Sequence, residues 1–422
     1  MKNFYLIGCL VLFGSQMNAQ YTSWITGDEG NSMAQPSPGV VLMGGASEHD
    51  EAMKWFLEQA NGGDVVVIRA SGSDGYNDYM FSDLGVTVNS VETIRFDNSS
   101  AATNPYVIEQ LLNAEAIWIA GGDQFDYISF WRGTPVEDAI NNLLNNIGGP
   151  VGGTSAGMAI LCGHYFSAEE GTITSAEALA NPYAEEILLG EQDFLEVPFL
   201  NNVITDTHYN DPDRRGRHFT FLSRLFDDMQ GTAKGIACDE YTAVTITSEG
   251  IATVWGDTPD YFEYIYFIQS NCETLGPEVL NGGVPLTWNQ SNAALSVYKI
   301  RGDNEGSNSF DLNDWTTGIG GEWLYWYVQE GELFEVEGAA PDCANHIEEE
   351  ELSPILIYPN PALTDFHVIV EQSSPLFIYN SFGQLVMSFT EPKLEWNIST
   401  KDWVNGIYHL STKQGKRVLL VE

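Results

Sequence analysis

Through the first third of the chain, short apolar runs alternate with amphipathic stretches. Val40–Met43 is an apolar run ending at Gly44-Gly45. Ser47 to Ala60 reads as a helix, with Ser47 as N-cap and Glu48, Asp50 and Glu51 in its first turn. Asp64–Ala70 and Val91–Phe96 read as buried strands, and Tyr106–Asn113 as a helix. Ala116–Ala120 is a further strand, ending in Gly121-Gly122-Asp123-Gln124. Pro135–Ile147 places Val136, Ile140, Leu143, Leu144 and Ile147 on one helical face, with Pro135 near the first helical position. Strands separated by helices of about a dozen residues predict a parallel, doubly wound α/β sheet. The functional residues of such sheets gather at the carboxyl ends of the strands.

The next apolar run, Pro150-Val151, opens into Gly152-Gly153-Thr154-Ser155-Ala156-Gly157. A strand, a glycine pair, a serine and then small residues that start a helix make the form of a nucleophile elbow, which presents the serine above the sheet. The helix start beneath it offers free N–H groups to a developing oxyanion. A glycine-rich strand-to-helix turn without chemistry has the same local pattern, so the rest of the chain decides between them.

Beyond Gly235 the pattern changes to short strands and turns: Ala243–Thr247, Ile251–Trp255, Tyr261–Ile268, Ala294–Ile300 and Glu322–Val328. The Gly-, Asn- and Asp-rich stretch Arg301–Trp315 lacks the ligand spacing of a calcium loop and reads as solvated. A boundary falls at 341–354, which contains Glu348-Glu349-Glu350-Glu351. From 355 to 422 the texture is a small all-β sandwich, with strands at Ile355–Tyr358, Phe366–Val370, Leu376–Tyr379, Leu385–Phe389, Ile407–Ser411 and Arg417–Val421.

Composition sharpens this outline. With 17 Lys plus Arg against 59 Asp plus Glu, the net charge is −42, which disfavours nucleic acid and anionic lipid as partners. Nearly all the excess lies upstream, because Leu352 to Glu422 holds six acidic and five basic residues, a net of −1. Residues 1–19 have the form of a secretory signal: Lys2, the apolar run Phe4–Phe13, then small and polar residues up to Ala19. Leu6-Ile7-Gly8-Cys9 resembles a lipoprotein box, but the apolar run continues past Cys9. No later run approaches the ~20 residues of a membrane-spanning helix. The expected domains are therefore 20–340, a linker at 341–354, and 355–422. Cys162 and Cys238 lie in apolar stretches as buried thiols, while Cys272 and Cys343 sit in polar surroundings and could pair as a disulfide. No cysteine shows metal-ligand spacing, and the reading reached below implies neither metal nor organic cofactor.

A serine nucleophile needs a base. Of the seven histidines, His208 follows the apolar Val203-Ile204 and sits at a strand end, where a base belongs. His164 reads as lying further along the helix that follows Ser155, and His218 as structural. Arg214, Arg215, Arg217 and Arg224 cluster just after His208, and arginine forks recognise carboxylates. Internal pairing with Asp206, Asp211 and Asp213 is the competing account of the cluster.

Gly121-Gly122-Asp123-Gln124, Gly153–Gly157, Asp206-Thr207-His208 with Arg215-Gly216-Arg217, and Gly235–Ala243 occur in the order and spacing of the cyanophycinase and dipeptidase E family of serine peptidases, which this chain resembles from about Val40 to Ile300. The resemblance implies a class I glutamine amidotransferase-like fold with serine as nucleophile. Ser155 would then attack, His208 act as general base, and the amides of Gly122 and Ala156 form the oxyanion hole. Gln124, Arg215 and Arg217 would contact substrate. The third triad member is expected between nucleophile and base, where Glu169, Glu170 and Glu177 qualify and Glu177 is preferred. Asp211-Pro212-Asp213 looks inserted relative to the family pattern, which bears on the substrate more than on the chemistry. Ile357-Tyr358-Pro359-Asn360-Pro361, Ile378–Gln384 and Gly406-Ile407-Tyr408 resemble the sorting domain of the type IX secretion system. That resemblance implies export through periplasm and outer membrane, with the secretion machinery as a partner.

The resulting expectation is a secreted serine peptidase acting next to aspartyl residues of a peptide substrate. The competing readings are an α/β-hydrolase-type esterase, or a non-catalytic surface protein that keeps the fold. Homodimerisation is left open.

Overall fold

The computed structural model describes residues 19–228, 234–272, 275–341, 355–380, 385–401, 403–412 and 415–421. The chain divides into two compact units, Met1–Pro341 and Asp342–Glu422. Residues 1–18, where the signal segment is expected, and Cys343 lie outside the described residues, whereas Cys272 is disulfide-bonded. Cys162 and Cys238 are buried free thiols.

The first unit is built on five parallel strands in the order Ser90–Phe96, Asp64–Arg69, Ala116–Ile119, Pro150–Thr154 and Gly39–Met43. The last three are buried at every position, as expected for strands covered on both faces. Helix Asp50–Gln59 covers one face, burying Ala52, Met53, Phe56 and Leu57 against Val41, Val65 and Trp118. Helices Pro105–Asn113, Gln124–Trp131 and Pro135–Asn142 contribute Val107, Leu111, Trp131, Val136 and Ile140 to the core on Val66, Ile68 and Ile117. The cap of the first helix is His49, whose ring accepts the Ala52 N–H, and not the expected Ser47. The run read as one helix over 135–147 closes with a wider turn at Leu143–Ile147, ended by left-handed Gly148.

Strand Tyr21–Gly27 pairs antiparallel along the free edge of Ser90–Phe96. Its alternation is weak and it is mostly half-exposed, which is why the apolar pattern does not reveal it. The later strands are shared between two sheets. Thr242–Thr247 and Ile251–Gly256 extend the first sheet from Gly39–Met43. Tyr264–Ser270, Leu295–Arg301 and Gly321–Gln329 build a second, eight-stranded sheet together with Val203–Asp206 and Lys234–Cys238. One apolar core joins both sheets, with Ile119, Val151 and Val244 meeting Ile236, Phe267 and Tyr298.

The second unit is a single five-stranded antiparallel sheet in which Asp365–Asn380 pairs with Leu356–Tyr358, Leu385–Ser399 and Gly406–Thr412. Gly415–Val421 pairs with Gly406–Thr412, and a bridge from Ala362 to Val421 nearly closes the sheet around Phe366, Val368, Ile378, Trp396, Leu410 and Leu419. The strands expected at 366–370 and 376–379 are one long strand interrupted by irregular register. Among the described residues, no helix is long and apolar enough to cross a membrane.

Candidate active site

Three neighbouring strands of the first sheet, Ala116–Ile119, Pro150–Thr154 and Gly39–Met43, end in Gly121-Gly122, Ser155 and Gly44-Gly45. Ser155 has φ 52° and ψ −118°, a left-handed conformation that costs free energy and is held by its surroundings. Its N–H donates to the Met43 carbonyl at 3.0 Å. The flanking glycines are needed for space: a Cβ on Gly157 would lie 2.1 Å from the Ile119 oxygen, and one on Gly153 would lie 2.6 Å from the Gly157 carbonyl carbon. Ala156–Ala159 is one helical turn only, and the chain then enters strand His164–Phe166. His164, expected on a longer helix, is therefore a buried strand residue.

The second sheet brings the base. Val203–Asp206 runs parallel to Lys234–Cys238, and the chain leaves their carboxyl ends as Thr207-His208 and Asp239-Glu240. The Gly44-Gly45 turn lets these loops nest against the first sheet. The His208 N–H donates to the Gly44 carbonyl at 2.9 Å and the Tyr241 N–H to that of Gly45 at 3.1 Å. A Cβ on Gly45 would sit 2.4 Å from the His208 ring, and one on Gly44 2.0 Å from the Asp239 carbonyl oxygen.

The result is a continuous relay. Ser155 Oγ lies 2.8 Å from His208 Nε2, and His208 Nδ1 lies 2.6 Å from Glu240 Oε1. With the proton on Nδ1 donated to Glu240, Nε2 is the acceptor for the serine hydroxyl. The His208 and Glu240 side chains are 25% and 21% exposed, so the relay opens to solvent on one side. Asn210 Oδ1 accepts the Glu240 N–H at 3.0 Å and fixes that loop.

The acid next to the histidine is thus Glu240, and Glu177 is corrected. Glu177 Oε2 accepts the Thr174 N–H at 3.0 Å and its hydroxyl at 2.7 Å, completing a capping box on helix Ser175–Ala180. Glu169 and Glu170 lie in an exposed turn. Glu240 follows His208 in the chain and so falls outside the interval between nucleophile and base in which the acid is expected. Glu240 stands inside the motif Gly235–Ala243, two residues past the end of a buried strand, and that position was the available signal.

In the arginine cluster, the competing account of internal pairing describes Arg217 and Arg215. Arg217 is buried and forks onto Asp206, with Nε to Oδ2 at 2.8 Å and Nη2 bonded to Oδ1. Burial works to raise the Asp206 pKa, but Arg217 outweighs it and holds the carboxyl below its ordinary range. Asp206 also accepts the Thr207 N–H at 2.9 Å, so the pair braces the segment that carries His208. Arg215 pairs with Asp213, Nη2 to Oδ2 at 2.6 Å, and approaches Glu335. Arg224 bonds the Pro182 carbonyl and covers the Tyr183 ring at 4.0 Å. Arg214 is less engaged: its Nη1 donates to the Thr207 carbonyl at 3.0 Å, Asp206 is 3.9 Å away, and its buried Nε has no partner among the described residues.

Gln124 opens helix Gln124–Trp131, and its Nε2 donates to the Phe166 carbonyl at 3.1 Å. The Gly121-Gly122 turn leans on the nucleophile, with a Cβ on Gly121 falling 3.5 Å from Ser155 Cβ. The Ala156 amide, first in its helix, has no intrahelical acceptor. His218 is buried against Tyr209 and the Ile204 carbonyl. Among the described residues no group of His, Cys, Asp and Glu could hold a metal ion.

A mixed α/β sheet with a strained serine at a strand end, hydrogen-bonded through histidine to a carboxylate, has the build of a serine hydrolase. Comparison with known families agrees. The model described as Peptidase family S51 matches residues 41–254, just over half of the chain, and the chain belongs to that family of serine peptidases. The description Secretion system C-terminal sorting domain matches residues 356–421, and marks the protein for type IX export to the cell surface or extracellular space. Among solved structures, a peptidase from an acI-B1 Actinobacterium is 18% identical, with a TM-score of 0.41 over 55% of this chain and 91% of its own. A putative peptidase E protein from Listeria monocytogenes EGD-e is 14% identical, with a TM-score of 0.34 over 52% and 99%. PorZ, a surface component of the type IX secretion system of Porphyromonas gingivalis, is 11% identical, with a TM-score of 0.16 over 42% and 30%.

Proposed function

We propose that this exported peptidase hydrolyses peptide or isopeptide bonds next to aspartyl residues through an acyl-enzyme on Ser155. Ser155 Oγ attacks the scissile carbonyl carbon and passes its proton to His208 Nε2, while Glu240 stabilises the imidazolium. The amides of Gly122 and Ala156 receive the oxyanion. His208 then protonates the leaving amine, and water repeats the sequence to release the acid. The observation that carries this reading is the unbroken relay from Ser155 through His208 to Glu240, at 2.8 and 2.6 Å.

The aspartyl preference rests on Arg214. In a protein of net charge −42, an anionic substrate is repelled at long range and needs a local cation. Arg215 and Arg217 are committed to Asp213 and Asp206, whereas Arg214 donates to the carbonyl next to His208, stands 3.9 Å from Asp206 and keeps part of its guanidinium side chain exposed. A panel of β-Asp-Arg polymer, Asp-X dipeptides and esters, assayed on the purified protein, tests the reading. Cleavage confined to neutral esters would refute the aspartyl preference.

A further inference from the structure

Resting on the acyl-enzyme reading above, we propose that Tyr127 is a positioning residue for the oxyanion hole, its hydroxyl fixing the peptide between Gly121 and Gly122 so that the Gly122 N–H faces the reacting carbonyl oxygen. The single Tyr127 O–H is shared between the Ala120 carbonyl at 2.9 Å and the Gly121 carbonyl at 3.0 Å. In a planar trans peptide the carbonyl and the following N–H point in opposite directions. The 121–122 bond is not among the cis peptides of the chain. With the Gly121 carbonyl drawn to the phenol, the Gly122 N–H is turned away from it.

The two glycines show what lies on either side of the turn. A Cβ on Gly121 would fall 3.5 Å from Ser155 Cβ, and one on Gly122 would strike the Tyr127 oxygen at 2.5 Å. The turn is therefore held between nucleophile and phenol, and the N–H directed away from the phenol serves the nucleophile's side. The close approach also explains why position 122 is glycine.

Tyr127 is built to hold this position. Its ring is fully buried and stacks on Trp131 at 4.5 Å with 5° between the planes. Burial raises the phenol above its ordinary range, so it remains a neutral donor wherever the enzyme works. Next to the turn, Asp123 Oδ1 accepts the Phe125 N–H at 2.9 Å, which fixes the start of the helix that carries Tyr127.

Tyr127→Phe keeps the ring and removes only the hydroxyl. Loss of one oxyanion donor costs about 10²- to 10³-fold, and a misplaced donor somewhat less. The expected result is a fall in kcat of roughly 10- to 100-fold with KM within about twofold, and an equal slowing of inactivation by a fluorophosphonate, whose phosphoryl oxygen uses the same donors. Gly122→Ala sets a Cβ 2.5 Å from the Tyr127 oxygen, so turn and phenol can no longer keep their contact, and should give the same signature if Tyr127→Phe fails to fold. A kcat within twofold of wild type in a folded Tyr127→Phe protein, whatever its melting temperature, overturns the inference. Ser155→Ala separates the two readings. If it is inactive while Tyr127→Phe is normal, the acyl-enzyme reading stands and Tyr127 has no part. If Ser155→Ala turns over, both fall.

Discussion

Replacing Glu240 by Gln tests which carboxylate serves His208. The change keeps the size of the side chain and removes its charge. His208 Nδ1 and Glu240 Oε1 are 2.6 Å apart, which puts the centres of the imidazolium and carboxylate charges about 4 Å apart once the proton has moved. At an effective dielectric of about 20 that pair interacts by about 4 kcal/mol. The two side chains are 25% and 21% exposed, so solvent screens part of it, leaving roughly 3 kcal/mol, or about 10²-fold in rate. The Gln amide can also present N–H to Nδ1 and favour the wrong imidazole tautomer, which extends the expected loss towards about 10⁴-fold. Steady-state hydrolysis of an Asp-X substrate should show this in kcat, with near-ultraviolet circular dichroism unchanged. Glu177→Gln should stay within about twofold of wild type, because that carboxylate only caps its own helix. If Glu240→Gln keeps more than a third of wild-type turnover, or Glu177→Gln loses more than Glu240→Gln, the assignment of the acid is wrong.

Asp206→Asn leaves Arg217 buried and unpaired, and should cost roughly 3–5 kcal/mol of stability, read as a lower thermal midpoint; an unchanged midpoint contradicts the bracing role of the pair. Arg214→Lys keeps the charge but loses the fork, and should lower kcat/KM on aspartyl peptides by roughly 10- to 100-fold while sparing a neutral ester. Arg215→Lys should change neither, since Arg215 is held by Asp213. Burial, reinforced by Glu263, pushes the Asp239 carboxyl up to about 7. Below about 3.9 the group is protonated in both folded and unfolded chains; between there and about 7 the folded state holds the extra proton, so stability falls as pH rises, with the full cost present above about 7. Asp239→Asn retains an acceptor for the Tyr264 N–H, and should gain on the wild type between pH 5 and pH 8 by roughly 2–4 kcal/mol; a difference that is flat with pH contradicts this.

What could be read in advance followed from local rules. The parallel strands announced themselves as unbroken apolar runs because both their faces are covered, and Ser155 by the glycines that its crowded turn requires. His208 was legible because it ends an apolar run and because the other histidines were poorly placed. Long-range pairing was not legible. Tyr21–Gly27 docks on Ser90–Phe96 with most of its residues half-exposed, so it carries no periodic signature. Which sheet received Thr242–Thr247 and which Tyr264–Ser270 depends on partners more than 100 residues away for the first and on neighbours for the second. Glu177 is a capping residue whose local pattern resembles any acid in a first turn, and Arg217 pairs with Asp206, one of three nearby aspartates between which the sequence does not choose until the strand and the helix meet. Tyr127 gives no signal at all in the sequence, because its role depends on a hydroxyl reaching two carbonyls in the loop before its helix.

The central claim is that Ser155 is the nucleophile of an exported S51 peptidase. Intact-protein mass spectrometry after reaction with a fluorophosphonate, followed by mapping of the adduct, tests it most directly. A single adduct should form on the peptide containing Ser155, be absent in Ser155→Ala, and form at least about 10²-fold more slowly in His208→Ala. An adduct on another residue, or substrate hydrolysis undiminished in Ser155→Ala, would contradict the account.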